Sequence, residues 1–564
     1  MVNLIEKAMR EVRASVLSAM GACVAEGVLS GEVVDNFVVE IPADTSHGDF
    51  ATNAALVSAK TFRMAPARVA KEICDRISPD DTYFEKPTVA GPGFINFKVK
   101  PRWFSEVLLG VQEAGEDYGR SEVGGGQRVM VEFVSANPTG PMHMGNARGG
   151  ALGDSLAAAL DFVGYDVTRE FYVNDAGNQV AKLGASLEAR YIQALKGEDA
   201  VPFPEDGYQG DDIKEHAQKF IQEYGDIYLE KGGEERRKAL CDYVLPQNIA
   251  KLKADLESYR IHYDVWFHES ALHKQDAIMA VVELLKKSGH TYEQEGALWY
   301  KSTDFGEEKD DVLVRANGVP TYFAADIAYH YNKFVERGFD KVINVWGADH
   351  HGHVARLKHA MEGIGVDPGR LDIVLMQLVN LVQDGQVVRM SKRTGKAVTL
   401  NDLLEEVPVD AARFFFNLRE PSSHFDFDLD LAVEQNSENP VYYVQYAHAR
   451  ICSILKNLAA EGIQPRDCGL EELSLLSTPE EQELIRYLAV LPNELIDAAT
   501  YYDPAKLTRY CVELATKFHK FYNACRVKGE EESLMQARLA LCIATRRVLR
   551  NVLELLKITA PESM

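Results

Sequence analysis

The chain has 564 residues, 46% hydrophobic and 26% charged, with 61 Lys and Arg against 85 Asp and Glu for a formal charge of −24. At roughly 150 residues per domain this length implies three or four domains with ordinary globular cores, and it excludes global disorder. The acidic balance argues against a protein that coats DNA or an anionic membrane, because both recruit basic surfaces.

No apolar run approaches the ~18 residues needed to span a bilayer. Glu6, Lys7, Arg10, Glu11 and Arg13 interrupt any leader-like core. Eight scattered cysteines without a C-x-x-C pair read as reduced thiols of a cytoplasmic protein, with no metal site expected.

Residues 1–115 read as a mixed α/β unit, with helical periodicity near 2–27 and 64–77 ahead of a strand-like run at 91–100. Residues 121–127 contain three consecutive glycines without apolar periodicity and read as a linker. Beyond them a strand at 128–134, a Pro/Gly turn, a small-residue helix at 147–164, a strand at 166–174 and a helix at 176–195 describe a right-handed βαβ unit. A polar, largely helical insertion follows at about 197–260. The alternation resumes with a helix at 321–338, a strand at 341–347, a helix at 353–365 and a strand at 371–382. A parallel sheet in two halves is therefore expected over 122–408. From about 410 strand signals vanish, and i, i+3, i+4, i+7 patterns predict a helical bundle over 436–564. The fold class expected is α/β: a Rossmann-type parallel-sheet catalytic domain with an N-terminal α/β domain and a C-terminal all-α bundle.

The chemistry concentrates in two stretches. In SANPTGPMHMGNARGG (135–150), Pro138, Gly140 and Pro141 force a tight turn, and His143 stands just before a helix. Backbone N–H groups and the helix dipole favour an anion at such a point, which suits a nucleotide phosphate. Gly145 lacks a side chain and lets a flat base approach the backbone. The stretch is neither a P-loop nor the dinucleotide fingerprint. In VVRMSKRTGKAVTL (387–400), Arg389, Lys392, Arg393 and Lys396 crowd a short loop around Gly395, an arrangement that repels itself unless a polyphosphate sits among the charges.

Together these stretches resemble the two signatures of class I aminoacyl-tRNA synthetases, the HIGH type at His143-Met144-Gly145-Asn146 and the KMSKS type at Arg389-Met390-Ser391-Lys392-Arg393. Asn146 stands where a second histidine is usual and cannot carry a proton; Arg389 keeps the charge of the usual lysine with different geometry. Within the class, EFVSANPTGPMHMGN, YVNDAGNQ, YDVWFHES, TYFAADIAYH, GADHHGH, MSKRTG, SENPVYYVQYAHARI and ITAPESM resemble the arginyl-tRNA synthetase family over nearly the whole chain.

The resemblance implies catalytic roles for His143 and Lys392. It implies ATP contacts from Gly140, His143, Gly145, Asn146, Gly347, Asp349, His353, Met390, Ser391 and Lys392. Arginine contacts fall on Glu132, Ser135, Asn137, Tyr322 and Asp326. The residue chemistry agrees, since a guanidinium needs planar acceptors and Tyr322 and Asp326 share a helix face at i, i+4. Glu132, in a central strand, is a carboxylate that needs a partner, and bound arginine could be one. Asp349, His350, His351 and His353 follow a strand at the sheet's carboxyl edge, where the family pattern points to ATP rather than zinc.

The implied substrates are L-arginine, ATP with Mg²⁺ and tRNA(Arg), with tRNA needed for activation, in a monomeric enzyme. The N-terminal domain is expected to contact tRNA, and the bundle resembles the family's anticodon-binding domain. Over 501–564 the bundle has eleven Lys and Arg against seven Asp and Glu. Tyr501, Tyr502, Tyr510 and Phe521 lie among these cations, and Tyr501, Tyr510 and Arg546 are the expected tRNA contacts. The acidic total then speaks of selectivity: local basic patches hold RNA while the remaining surface repels it.

Overall fold

Five parallel strands form the centre of the computed structural model, which describes residues 3–388 and 398–564. Across the sheet the order is Leu371–Met376, Lys341–Gly347, Arg128–Glu132, Asp166–Val173 and Val265–His268. The chain winds outward from the middle in both directions, so the switch point lies between Arg128–Glu132 and Lys341–Gly347, which pair in register up to Glu132 opposite Asn344. Ligands of doubly wound sheets bind beyond the carboxyl ends at such a point. Val129, Met130, Val131, Val342 and Ile343 are all buried, as expected for strands covered on both faces.

The helix Met144–Phe162 crosses close over the sheet because glycines let it. A Cβ on Gly153 would meet the Phe133 ring at 2.3 Å, and one on Gly150 would meet Ile261 at 2.6 Å.

Three expectations need correction. The run at 371–382 is two strands: Leu371–Met376 stays in the main sheet, while Val379–Gln383 joins Gln386–Val388 and Phe425–Asp428 in a small second sheet. Strand structure therefore continues past 410, through a parallel partner too short to show periodicity. The glycine segment is a docked turn rather than a free linker, with Gly124 N–H donating to Val163 O at 2.9 Å and Tyr165 N only 2.5 Å from where a Gly124 Cβ would sit. The insertion's own core, with Leu187, Tyr191, Phe220 and Val244, draws in the preceding helix Gly177–Lys196.

The antiparallel sheet Thr291–Gln294, Ala297–Tyr300 and Asp311–Val314 had no counterpart among the predicted elements.

At the N-terminus Asn3 caps the helix Leu4–Ala25, followed by a four-stranded antiparallel sheet. The bundle consists mainly of Pro440–Ala460, Pro479–Thr500, Ala505–Ala524 and Glu532–Leu555. Asn3 Nδ2 donates to Asn493 Oδ1 at 2.6 Å and Arg486 pairs with Asp49, tying the N-terminal domain to the bundle. Among the described residues no helix is long and apolar enough to cross a membrane.

Candidate active site

Beyond the central strand the backbone turns sharply. Val134 and Ser135 have φ of 69° and 42°, a left-handed conformation that is strained for a β-branched residue by about 1–3 kcal/mol. Bonds on both sides hold it: Tyr263 Oη–H donates to Phe133 O at 3.0 Å, Ser135 Oγ–H donates to Glu132 Oε1 at 2.9 Å, and Tyr172 N–H donates to Ser135 Oγ at 3.1 Å. This strained corner divides two pockets, both lined by Val134 and Ser135.

The larger, about 790 Å³, is lined by Asn137, Gly140, His143, Asn146 and Thr399 on one side and by Gln179 of the helix Gly177–Lys196 with Tyr208 and Asp212 of the insertion on the other. His143 is exposed at the N-cap of Met144–Phe162. Asn146 Oδ1 accepts from His143 N–H at 3.1 Å. Asparagine at this position thus serves as a capping acceptor, a task that needs no proton or charge. An ideal Cβ on Gly145 meets nothing within 4 Å, leaving the open face a flat base requires.

Residues 389–397, with Met390, Ser391 and Lys392, lie outside the described residues. Their downstream flank is described and docked on the His143 turn. Met144 N–H donates to Val398 O at 3.1 Å, Leu400 N–H donates to Met142 O at 3.0 Å, and His143 bridges to Thr399. The residues that follow the second signature, far from the first in sequence, thus share one edge of the cleft with it.

The smaller pocket, about 240 Å³, gathers Glu132, Ser135, Asp326, Gly347 and His353 with Tyr172, Tyr329, His330, Trp346 and His350. Its polar groups are already wired. Glu132 Oε2 meets Lys333 Nζ at 2.6 Å, so the partner expected from a substrate is supplied by the chain itself, and Lys333 is wholly buried. Lys333 also donates to Asn344 Oδ1 at 3.2 Å and lies 4.0 Å from the Tyr329 ring centroid. Asn344 Nδ2 reaches His330 Nε2 at 2.8 Å, and His330 Nδ1 reaches Asp326 O at 2.7 Å. Burial holds the His330 pKa well below its usual range.

Asp326 Oδ2 meets His353 Nε2 at 2.8 Å, and Arg356 Nε donates to His353 Nδ1 at 2.6 Å. An arginine can only donate, so Nδ1 is the acceptor and Nε2–H donates to Asp326, which fixes a neutral His353. His353, expected at ATP, therefore orients the Asp326 carboxylate. Arg356 in turn bonds Asp311 at 2.9 Å.

The other predicted residues are less central. Tyr322 is exposed and lines neither pocket, its Oη accepting from Asn178 N–H at 3.1 Å. Asn137 is exposed in the larger cleft, apart from Glu132 and Asp326. Asp349 is 77% exposed beside His350 and lines neither pocket.

The expected tRNA residues divide: Tyr501 is 69% exposed and Arg546 is half-buried, but Tyr510 is 1% exposed and stacks on Tyr487 at 4.9 Å. Tyr510 is core, which corrects its assignment as a base-stacking residue. Phe521 is likewise buried, and Tyr502 is committed to Asp372 by a 2.7 Å bond.

Glu269 was missed. It is 2% exposed, bonds His273 at 3.3 Å, and its carboxyl is held above the usual range chiefly by burial. Its one signal was an acid directly after the short strand Val265–His268. Among the described residues no group of three or more His, Cys, Asp or Glu could hold a metal ion.

A doubly wound sheet with a His-bearing helix N-terminus at its switch point, and the segment following a basic signature docked beside it, defines a class I aminoacyl-tRNA synthetase. Comparison with known sequences is specific. Residues 6–99 match the arginyl tRNA synthetase N terminal domain, 112–424 the catalytic domain of tRNA synthetases class I (R), and 444–564 the DALR anticodon binding domain. The chain is 55% identical to an arginine–tRNA ligase of Ruminiclostridium cellulolyticum and 56% to one of Caldanaerobacter subterraneus subsp. tengcongensis, with full coverage of both chains in each case. The arginyl-tRNA synthetase structure of Thermus thermophilus, 23% identical, shares the fold with a TM-score of 0.73 over 99% of this chain and 100% of that one. The chain belongs to the arginyl-tRNA synthetase family.

Proposed function

We infer that the chain attaches arginine to tRNA at the expense of ATP, with arginine in the smaller pocket and ATP, carried with Mg²⁺, in the larger cleft. The observation that carries this reading is the junction at Val134 and Ser135, which sets a carboxylate-lined pocket against a cleft headed by a helix N-terminus. Asp326, oriented by His353, is the acceptor for the guanidinium; Glu132 adds hydrogen-bond acceptance with its charge already met by Lys333.

The arginine carboxylate attacks the α-phosphorus of ATP in line and pyrophosphate leaves. The chain contributes alignment and charge stabilisation through His143, the helix N-terminus and the motif lysine Lys392. A terminal ribose hydroxyl of tRNA, by class the 2′-OH, then attacks the adenylate carbonyl and AMP leaves. No editing step is needed, because a site that hydrogen-bonds the guanidinium discriminates strongly against an amino acid that lacks it.

The reading extends to tRNA(Arg) held by the bundle and the N-terminal domain, and to a single-chain enzyme of the cytoplasm, in keeping with eight free cysteines. The test is ATP–pyrophosphate exchange with arginine and tRNA present. The native chain exchanges label with arginine alone among amino acids. Asp326→Ala raises the arginine KM by about ten- to a hundredfold, as loss of a hydrogen bond between charged groups does, and leaves that of ATP nearly unchanged. Exchange driven by another amino acid, or an unmoved arginine KM, refutes the assignment.

A further inference from the structure

Two fully buried arginines brace the Met144–Phe162 helix, and they differ in kind. Arg413 reaches Asp154 on that helix at 2.5 Å, a paired charge. Arg148 has no carboxylate partner among the described residues. Its Nη1 donates to Gln377 O at 2.7 Å and Ser423 O at 3.1 Å, its Nη2 donates to Glu420 O at 3.0 Å, and its Nε has no partner. Burial pushes its pKa down to about 10. A cation kept in the interior without a carboxylate, on carbonyl dipoles and the face of Phe425, whose ring centroid is 5.9 Å away, is costly. An apolar side chain would fill the same space more cheaply.

The three carbonyls share a destination. Gln377 is the step from the main sheet to Val379–Gln383, and Glu420 and Ser423 lie on the approach to Phe425–Asp428. The two crossings are tied by Gln377 N–H donating to Pro421 O at 3.0 Å. Both enter the small sheet whose last hairpin strand, Gln386–Val388, runs directly into the basic signature. The far flank of that signature, 398–400, bonds to the first turn of the same helix. One helix thus secures both flanks, through backbone bonds downstream and through Arg148 upstream. Arg148 lies about 7.5 Å along the helix axis from His143, with its charge of the same sign as the dipole at that end.

We propose that Arg148 is a positioning residue for the ATP half-reaction, its guanidinium fixing the small sheet that leads into the basic signature in register with the His143 helix. A planar fork that satisfies carbonyls from two separate segments sets their spacing in a way that neither an ammonium nor an apolar group can. The proposal rests on the nucleotide reading of the larger cleft.

The test uses the full chain in tRNA-dependent ATP–pyrophosphate exchange, with Arg148→Met, Arg148→Lys and, in parallel, His143→Ala. Arg148→Met lowers kcat about a hundredfold, the scale of an ångström's misplacement at a reacting centre, while the arginine KM stays within about twofold. Arg148→Lys, which keeps a charge and three donors without the fork, recovers about a tenth of the native rate. Amide exchange in Arg148→Met speeds up at 379–388, 398–400 and 425–428 but not in the bundle. A kcat within about threefold of native, or a loss shared by the arginine KM and by bundle amides, overturns the proposal. If Arg148→Met does not fold, Arg148→Lys carries the same comparison. An unaffected His143→Ala refutes the nucleotide reading instead, whatever Arg148 does.

Discussion

In the smaller pocket Glu132 and Asp326 arrive with partners in place, Lys333 at 2.6 Å and His353 at 2.8 Å, and a buried chain through Asn344 and His330 joins them. The larger cleft is built in the opposite manner. Its His143 is exposed, its edge is backbone N–H and glycine, and its floor is the strained Val134–Ser135 corner. Each construction suits its ligand. A guanidinium is told from other cations by fixed acceptors, which must be oriented before it arrives. A polyphosphate needs positive potential more than exact placement of any one side chain, and a helix end with open space supplies it.

The sharpest way to break this contrast is Lys333→Met. It strips the buried cation from Glu132 and leaves an uncompensated carboxylate, which typically costs about 3–5 kcal/mol. The expected outcome is a lowered urea midpoint for the transition of the catalytic domain, followed by Trp346 fluorescence. Addition of ATP alone does not rescue it. A midpoint unchanged from native means the pair contributes nothing net, and the pre-wired description of the pocket fails.

A smaller effect tests Glu269. Its carboxyl pKa is raised, with burial the largest cause and nearby Asp326 adding to it, while His273 and Tyr172 act in the opposite direction. For stability the sign follows: what the neutral carboxyl contributes is fully present below the ordinary carboxylate range and is lost as pH rises through the raised folded pKa. Binding a cation reverses the preference, since it favours the ionised form. Glu269 does not line the smaller pocket but feels the charge of Asp326, so a cation bound at Asp326 favours its ionised form. The arginine KM is then expected to rise as pH falls through that raised value, by at most about tenfold per unit. Glu269→Gln flattens this slope while the ATP profile stays as in the native chain. A slope retained in Glu269→Gln assigns the titration to another group.

These features differ in how far the sequence exposes them. The apolar strand 128–134, the Pro/Gly turn and the i, i+4 pair Tyr322 and Asp326 are local patterns, and both pockets could be located from them. Lys333 could not. It lies 201 residues from Glu132 and within the π-helical turn Asn332–Glu336, whose extra residue moves it off the face that helical spacing predicts. Glu269 follows a four-residue strand with no periodic context. Phe425–Asp428 likewise depends on a partner strand distant in sequence. The error over Tyr510 is of another kind, because the answer was present: Leu507, Tyr510, Cys511 and Leu514 repeat at apolar helical spacing, and that outweighs neighbouring cations.

Tyr510 and its exposed counterpart Tyr501 give the smallest and cleanest comparison, carrying the contrast of wired interior and open surface into the bundle. Tyr510→Phe removes only the bond from Oη to Tyr487 O at 3.1 Å. It should cost about 1 kcal/mol of stability and leave the tRNA KM alone. Tyr501 has Lys506 Nζ 5.7 Å from its ring centroid and an open face. As the proposed stacking residue, its change to Ala should raise the tRNA KM about fivefold, the low end for one base on one ring, at no cost in stability. If the two variants exchange these outcomes, the assignment of core and surface in the bundle is inverted. If Tyr501→Ala moves neither quantity, RNA contact by the bundle rests on cations such as Arg546 and not on aromatic stacking.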